Sequence, residues 1–161
     1  MQQIDESPSS ELQVDGRGVK VIFSDVHMGQ GTQSGFVNNY EEFHEDQRLA
    51  ELVRYYGEGD YSDLPVELII NGDFLDLLRV PYRGRFLTEV IEEVAVDKVR
   101  RCLRGHPVVF DALAWFVTLP KKKLTYVAGN HDLDVAFAGV QRLIRARLGV
   151  SDDSSVLQFC T

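Results

Sequence analysis

Three short polar motifs in this chain contain residue types that bind metal ions. In chain order, their members are Asp25 and His27 in SDVHMG, Asp73 and Asp76 in NGDFLD, and Asn130 and His131 in GNHD. Oxygen and imidazole ligands suit Mn, Fe or Zn better than a metal that requires thiolates. If the three motifs lie side by side in the fold, they therefore predict one metal centre.

Each motif by itself has an ordinary structural explanation. An Asp-x-His sequence can end a strand, Gly-Asp is common in turns, and Asn-His-Asp can begin a helix. The combination is more specific, because every motif follows directly after an apolar run. We therefore interpret the three motifs together as a site and not as three separate turns.

The apolar runs that precede the motifs predict buried strands, and segments of helical periodicity separate them. The predicted strands cover 19–24, 66–71 and 124–128, with a further strand in 155–161. The predicted helices cover 41–56, 87–105, 107–118 and the segment from Asp134 to Leu148. Alternating strands and helices predict an α/β fold with a largely parallel sheet. Loops at the carboxyl ends of such strands are where ligands bind, so the motifs should converge there.

Composition excludes several classes of function. The net charge is -8 and the isoelectric point is about 4.9, so the chain should repel a nucleic-acid backbone. The two cysteines are far apart and indicate a reducing, cytoplasmic environment without a disulfide framework. No apolar stretch approaches the roughly 20 residues of a membrane-spanning helix. Residues 1–18 are polar, lack a signal peptide and predict a flexible tail before a single domain at 19–161.

The ordered series D-x-H, G-D-x-x-D and G-N-H-D resembles the calcineurin-like metallophosphoesterase superfamily, and the match extends over residues 19–135. The resemblance implies an α/β/β/α sandwich and two divalent metal ions, which would be Mn, Fe or Zn. It also implies hydrolysis of a phosphomonoester or phosphodiester by a hydroxide that bridges the two metals. The expected substrate is a phosphate ester of a small molecule, a nucleotide or a lipid head group.

The resemblance also implies which residues bind the metals. Asp25 and His27 correspond to ligands of the first ion, and Asp73 corresponds to the carboxylate that bridges both ions. Asn130 corresponds to a ligand of the second ion.

Residues of the last two motifs correspond to the catalytic machinery. His131 matches the catalytic histidine of the family, and Asp76 is the carboxylate expected to orient it. We interpret Asp132 as a cap of the helix that follows. Three arginines in the loop after Asp76 are candidate substrate-binding residues, because guanidinium groups bind phosphate; the alternative is that they are exposed loop residues with aromatic neighbours. These arginines are Arg79, Arg83 and Arg85.

The chain departs from the family pattern after the third motif. The family has three further histidines there, whereas no histidine follows His131 in this chain. His44 and His106 precede the third motif, and we interpret both as surface or capping residues. We therefore expect the chain to be an N-terminal portion, truncated at its C-terminal end, that holds one metal ion or none stably and turns over poorly alone. The alternative is a non-catalytic metal- or phosphate-binding fragment or scaffold.

Two further features concern the branch of the superfamily. Leu77 occupies the position of an arginine found in the Ser/Thr protein phosphatases, which disfavours that branch. The loop around 77–86 is similar to the UDP-diacylglucosamine hydrolase branch, although that branch has arginine where this chain has His131. A nuclease of the same superfamily would need a basic groove, and the net charge of -8 disfavours it.

Overall fold

The computed structural model describes residues 18–32, 38–87 and 91–161. It has an α/β fold with a parallel sheet of four strands in the order β1-β2-β3-β4. The strands are β1 (Val19–Phe23), β2 (Val66–Asn71), β3 (Lys122–Val127) and β4 (Leu157–Cys160). The α/β class and all four predicted strands are confirmed. Strand β3 begins two residues earlier than predicted, because Lys122 pairs with Val66 and its buried amine donates to carbonyl groups of the turn before β2.

In the described residues, four α-helices lie between and after the strands. They are α1 (Asp46–Gly57), α2 (Glu92–Gly105), α3 (Pro107–Thr118) and α4 (Ala138–Leu148). The predicted bounds of α3 are confirmed, with Pro107 in the first turn, where its missing N–H is tolerated. The predicted start of the first helix at residue 41 is wrong, because the Glu41 side chain binds backbone amides of another loop and the helix begins only at Asp46.

The helices form one layer against one face of the sheet. Contacts run from α1 to α3, from α3 to α4 and from α4 to α2. Along β2, Leu68 and Ile70 point into this layer and are buried, whereas Glu67 and Ile69 alternate with them and are only half-buried. Burial thus follows the two-residue period of a strand, and the helices cover only one face of the sheet.

The other face of the sheet carries polar pairs and an exposed apolar side chain. Glu67 forms ion pairs with Lys20 and Lys123 on the neighbouring strands. Ile22 is 62% exposed on the same face. The polar tail predicted at 1–18 lies outside the described residues except for Gly18. Among the helices that are described, none is long and apolar enough to cross a membrane.

Candidate metal centre

The first and second motifs lie against each other because the pairing of β1 with β2 continues beyond both strands. The N–H of Asp25 donates to the carbonyl of Gly72 at 3.3 Å, and the N–H of His27 donates to the carbonyl of Asp73 at 2.9 Å. These backbone bonds place the Asp-x-His motif directly beside the Gly-Asp motif. The parallel register of two adjacent strands therefore joins residues that are far apart in sequence.

The third motif joins the same edge of the sheet through backbone contacts. The N–H of His131 donates to Oδ1 of Asp73 at 2.9 Å, and the carbonyl of His131 accepts from the N–H of Leu77 at 3.2 Å. Gly129 packs so closely on Asp73 that a Cβ at this position would overlap its carboxylate. The three predicted motifs are therefore neighbours in space.

Three of the predicted ligands have left-handed backbone conformations. The φ angles are 55° at Asp25, 53° at His27 and 52° at Asp73. Such conformations are uncommon for residues with side chains and cost about 1–3 kcal/mol each unless the surrounding structure imposes them. Here the backbone hydrogen bonds between the two loops hold all three residues in place. Strained residues of this kind are concentrated at functional sites.

Two overlapping groups of side chains have the composition and spacing of a metal site. Asp25, His27 and Asp73 offer one ligand atom each, and these atoms lie within 4.8 Å of one another. The same limit holds for His27, Asp76 and His131. The first group contains the three residues predicted to bind the first metal, and His27 belongs to both groups. Carboxylate and imidazole donors fit Mn, Fe or Zn.

Asp76 lies at the centre of the second group. The side chain is 2% exposed, and its Oδ1 lies 3.1 Å from Nδ1 of His131. Its Oδ2 lies 3.7 Å from Nδ1 of His27 and 3.2 Å from Nε of Arg79. The two imidazole rings meet edge to face, with their centroids 4.6 Å apart. One buried carboxylate thus contacts both histidines of the site and a guanidinium group.

No family model matches this chain, and no curated protein or solved structure does.

The remaining predicted site residues differ in their distance from this group. Asn130 is exposed in the same loop as His131. Arg79 contacts Asp76 and also pairs with Glu42, whose carboxylate raises the pKa of the guanidinium above its ordinary value. Of the three predicted arginines, Arg79 is therefore the one that contacts a residue of the site within the described residues.

Arg83 and Arg85 belong to a small hairpin in which Tyr82 pairs with Arg85 through two backbone hydrogen bonds of 2.8 and 3.0 Å. The turn consists of Arg83 and Gly84, both with positive φ, as a tight hairpin requires. The Arg83 guanidinium stacks on the ring of Tyr82 at 5.1 Å. Both arginines are exposed, and their predicted contact with a substrate stays a prediction.

Asp132 has a structural role that the sequence interpretation missed. It is fully buried and forms no side-chain cap on the 3₁₀ turn that follows, so its interpretation as a helix cap is wrong. Its carboxylate accepts four hydrogen bonds, from the N–H groups of Phe74, Leu75 and Gly129 and from the hydroxyl of Tyr126. Burial and the neighbouring Asp132 raise the pKa of Tyr126 well above its ordinary value, so the hydroxyl remains a donor. Asp132 thereby ties the second motif to the third.

The two histidines outside the motifs have different environments. His44 is exposed, as expected for a surface residue. His106 is 1% exposed, so it is not a surface residue, but it is the cap residue between α2 and α3, as the capping alternative predicted. It lies between the carboxylates of Glu41 and Asp46. The His-Pro sequence does not predict this environment, because Glu41 comes from a distant loop and Asp46 from the start of α1.

Proposed function

We propose that this chain carries the metal site of a phosphoesterase of the calcineurin-like superfamily, which hydrolyses a phosphomonoester or phosphodiester. The observation that supports the proposal most is the group of Asp25, His27 and Asp73, whose ligand atoms lie within 4.8 Å of one another. The predicted catalytic pair, His131 and Asp76, lies inside the second group at a hydrogen-bonding distance of 3.1 Å. Three motifs that were chosen from sequence thus lie at one edge of the sheet.

In this proposal, Asp25, His27 and Asp73 hold one divalent ion, and Asp73 and Asn130 contribute to a second. Bound ions of this kind supply an activated water and neutralise phosphate charge. The protein holds the ligands rigidly, since left-handed backbone and inter-loop hydrogen bonds fix their orientation. Ligands that are held in this way need little reorganisation when an ion binds.

His131 is placed to exchange a proton with a substrate. Its Nδ1 faces the carboxylate of Asp76, so its Nε2 is left to act on a phosphate ester. The Asp76 carboxylate orients the ring, as a general acid requires. The general acid would donate the Nε2 proton to the leaving oxygen. Arg79 binds the other oxygen of Asp76 and limits its rotation.

The open face of the sheet supports the proposal of an α/β/β/α sandwich. Parallel sheets are normally covered on both faces. Here the helices cover one face, and Ile22 is 62% exposed on the other. In a sandwich, a second sheet would pack on this face and bury Ile22 and Ile69.

A non-catalytic metal-binding module is the second candidate. The observation that favours it is the unequal number of ligands, because this proposal gives the first ion Asp25, His27 and Asp73, whereas the second has only Asp73 and Asn130. One well-held ion would be sufficient for binding but not for a two-metal reaction.

Turnover of a panel of phosphate esters with Mn²⁺ separates the two candidates. We expect a low metal-dependent turnover. It should fall by about 100-fold or more in His131→Ala, as for loss of a general acid, and it should be abolished in Asp73→Ala. Asp60→Ala, on an exposed turn, is the matched control and should have no effect. Metal binding that requires Asp73 without any turnover would support the binding module. Undiminished turnover in either site variant would show that the proposed role of that residue is wrong.

A further inference from the structure

A second cluster of charged side chains lies behind the loop that follows His27. The ring of His106 is 1% exposed, at the junction of α2 and α3. Its Nδ1 lies 2.9 Å from Oδ1 of Asp46, and its Nε2 lies 3.4 Å from Oε2 of Glu41. The second contact is an ion pair and not a well-aligned hydrogen bond. Burying an imidazole and two carboxylates costs desolvation energy, which the contacts among the three groups must offset.

Glu41 connects this cluster to the metal-binding loop. Its side chain is buried, and its two carboxylate oxygens accept the N–H of Gly29 at 3.0 Å and the N–H of Gly31 at 2.6 Å. Gly29 follows His27 by two residues. Glu41 is therefore the side chain that holds the backbone immediately after the Asp25–His27 ligand pair.

The loop is packed tightly between Glu41 and the end of α2. A Cβ on Gly29 would lie 2.7 Å from Oε2 of Glu41. A Cβ on Gly31, whose φ is +71°, would lie 2.6 Å from the Cα of Gly105, which directly precedes His106. A small shift of either wall would therefore move the loop, because close-packed interiors transmit displacement.

The charges of the cluster reinforce each other. Burial would lower the pKa of His106, but its contacts with Glu41 and Asp46 outweigh burial and raise the pKa above 6.5. Burial would likewise raise the pKa of Glu41, but His106 and the amides of Gly29 and Gly31 lower it below 4.5. The Cys102 thiol of α2 is uncharged, because burial raises its pKa.

We propose that His106 is a positioning residue for the metal centre: through Glu41 it fixes the backbone at 29–31 and thereby holds Asp25 and His27 in their ligating arrangement. The effect on metal affinity rests on the proposed function. The anchoring of the loop is independent of the proposed function, because it is a property of the metal-free chain.

Amide hydrogen exchange in the metal-free chain tests the anchoring directly. The amide of a glutamine at position 106 can reach the place of Nε2, facing Glu41, whereas that of an asparagine reaches the place of Nδ1, facing Asp46. We expect the amides of Gly29 and Gly31 to exchange about tenfold faster or more in His106→Asn, with less acceleration in His106→Gln. Ile144→Val, in the core of α4, is the control for general destabilisation and should not accelerate these amides selectively.

Equal exchange at Gly29 and Gly31 in wild type and His106→Asn would overturn the proposal. Greater protection in His106→Asn than in His106→Gln would also overturn it, because the contact with Asp46 would then be the important one. If His106→Asn does not fold, His106→Leu provides the same test, since leucine fills much of the space of the ring but cannot donate to Glu41, whose carboxylate stays intact for Gly29 and Gly31.

Titration with Mn²⁺ alone then separates this proposal from the proposed function. We expect a dissociation constant about 10–100 times higher in His106→Asn and Glu41→Gln, as for other residues that support ligands. Asp73→Asn reports on the metal site itself. If Asp73→Asn abolishes binding but His106→Asn binds like wild type, the positioning role is wrong and the metal site stands. If Asp73→Asn binds like wild type, the metal site is wrong, and the exchange experiment alone decides whether His106 anchors the loop.

Discussion

Oδ1 of Asp73 accepts a hydrogen bond of 2.9 Å from the backbone N–H of His131. The predicted bridging carboxylate is thereby oriented by the backbone of the predicted catalytic histidine. This contact joins the loop after β2 to the loop after β3. A change that displaces either residue should therefore affect both metal binding and the catalytic histidine.

Substitution of Gly129 tests this coupling. A Cβ in Gly129→Ala would overlap Oδ1 and the backbone nitrogen of Asp73, so the carboxylate must move. We expect a Mn²⁺ dissociation constant at least about tenfold higher in calorimetric titration. Gly18→Ala is the control, because its Cβ would meet only ordinary contacts at 3.7 Å or more. Unchanged affinity in Gly129→Ala would show that this contact does not position Asp73.

The hydrogen bond from Tyr126 to Asp132 should contribute to stability. Tyr126→Phe removes the hydroxyl donor from a fully buried carboxylate, so we expect the free energy of unfolding to fall by about 1–3 kcal/mol. Denaturation in urea measures the change. Tyr40→Phe, at a residue that is 52% exposed, should change stability little. A loss in Tyr126→Phe no larger than in the control would contradict the role given to Asp132.

The ion pair of His106 predicts how stability depends on pH. A folded-state pKa above 6.5 means that the stabilisation by charged His106 is fully present below pH 6.5 and is lost as the pH rises through the folded pKa. We expect the free energy of unfolding of wild type to decrease over that interval, and His106→Gln to remove this part of the slope. The exposed His44 provides the control variant His44→Gln, which should keep the slope. A slope that persists unchanged in His106→Gln would contradict the prediction.

Arg79 should differ from the other two arginines of its loop. It contacts Asp76, whereas Arg83 stacks on Tyr82 in the exposed hairpin. We expect Arg79→Gln to lower kcat for a phosphate ester by about tenfold or more, because it removes a partner of the buried Asp76 carboxylate. Arg83→Gln is the comparison, and Arg85→Gln a second one. Equal effects of all three on KM alone would indicate a shared role in substrate binding instead.

The sheet and the convergence of the candidate ligands could be predicted from the sequence, because each depends on local pattern. An apolar run followed by a polar motif defines a strand and its carboxyl end, and parallel pairing then brings Asp25, Asp73 and His131 to one edge. These features need no knowledge of side-chain packing.

The supporting residues could not be predicted in this way. Glu41 was included in a helical pattern, but its role depends on a loop that folds back so that Gly29 and Gly31 donate to it. Asp132 was interpreted as a cap because the sequence does not reveal that three segments converge on its carboxylate. Both roles arise from tertiary contacts, which a local pattern does not contain.

Calorimetric titration of the chain with Mn²⁺ tests the central claim most directly. The account predicts saturable binding of about one ion per chain, weakened by roughly a hundredfold or more in Asp73→Asn and His27→Ala, since direct ligands matter more than the residues that support them. Asp60→Asn should bind like wild type, because Asp60 is exposed on the turn after α1. Absence of saturable binding, or equal affinity in wild type and Asp73→Asn, would contradict the claim that these strand ends form a metal centre.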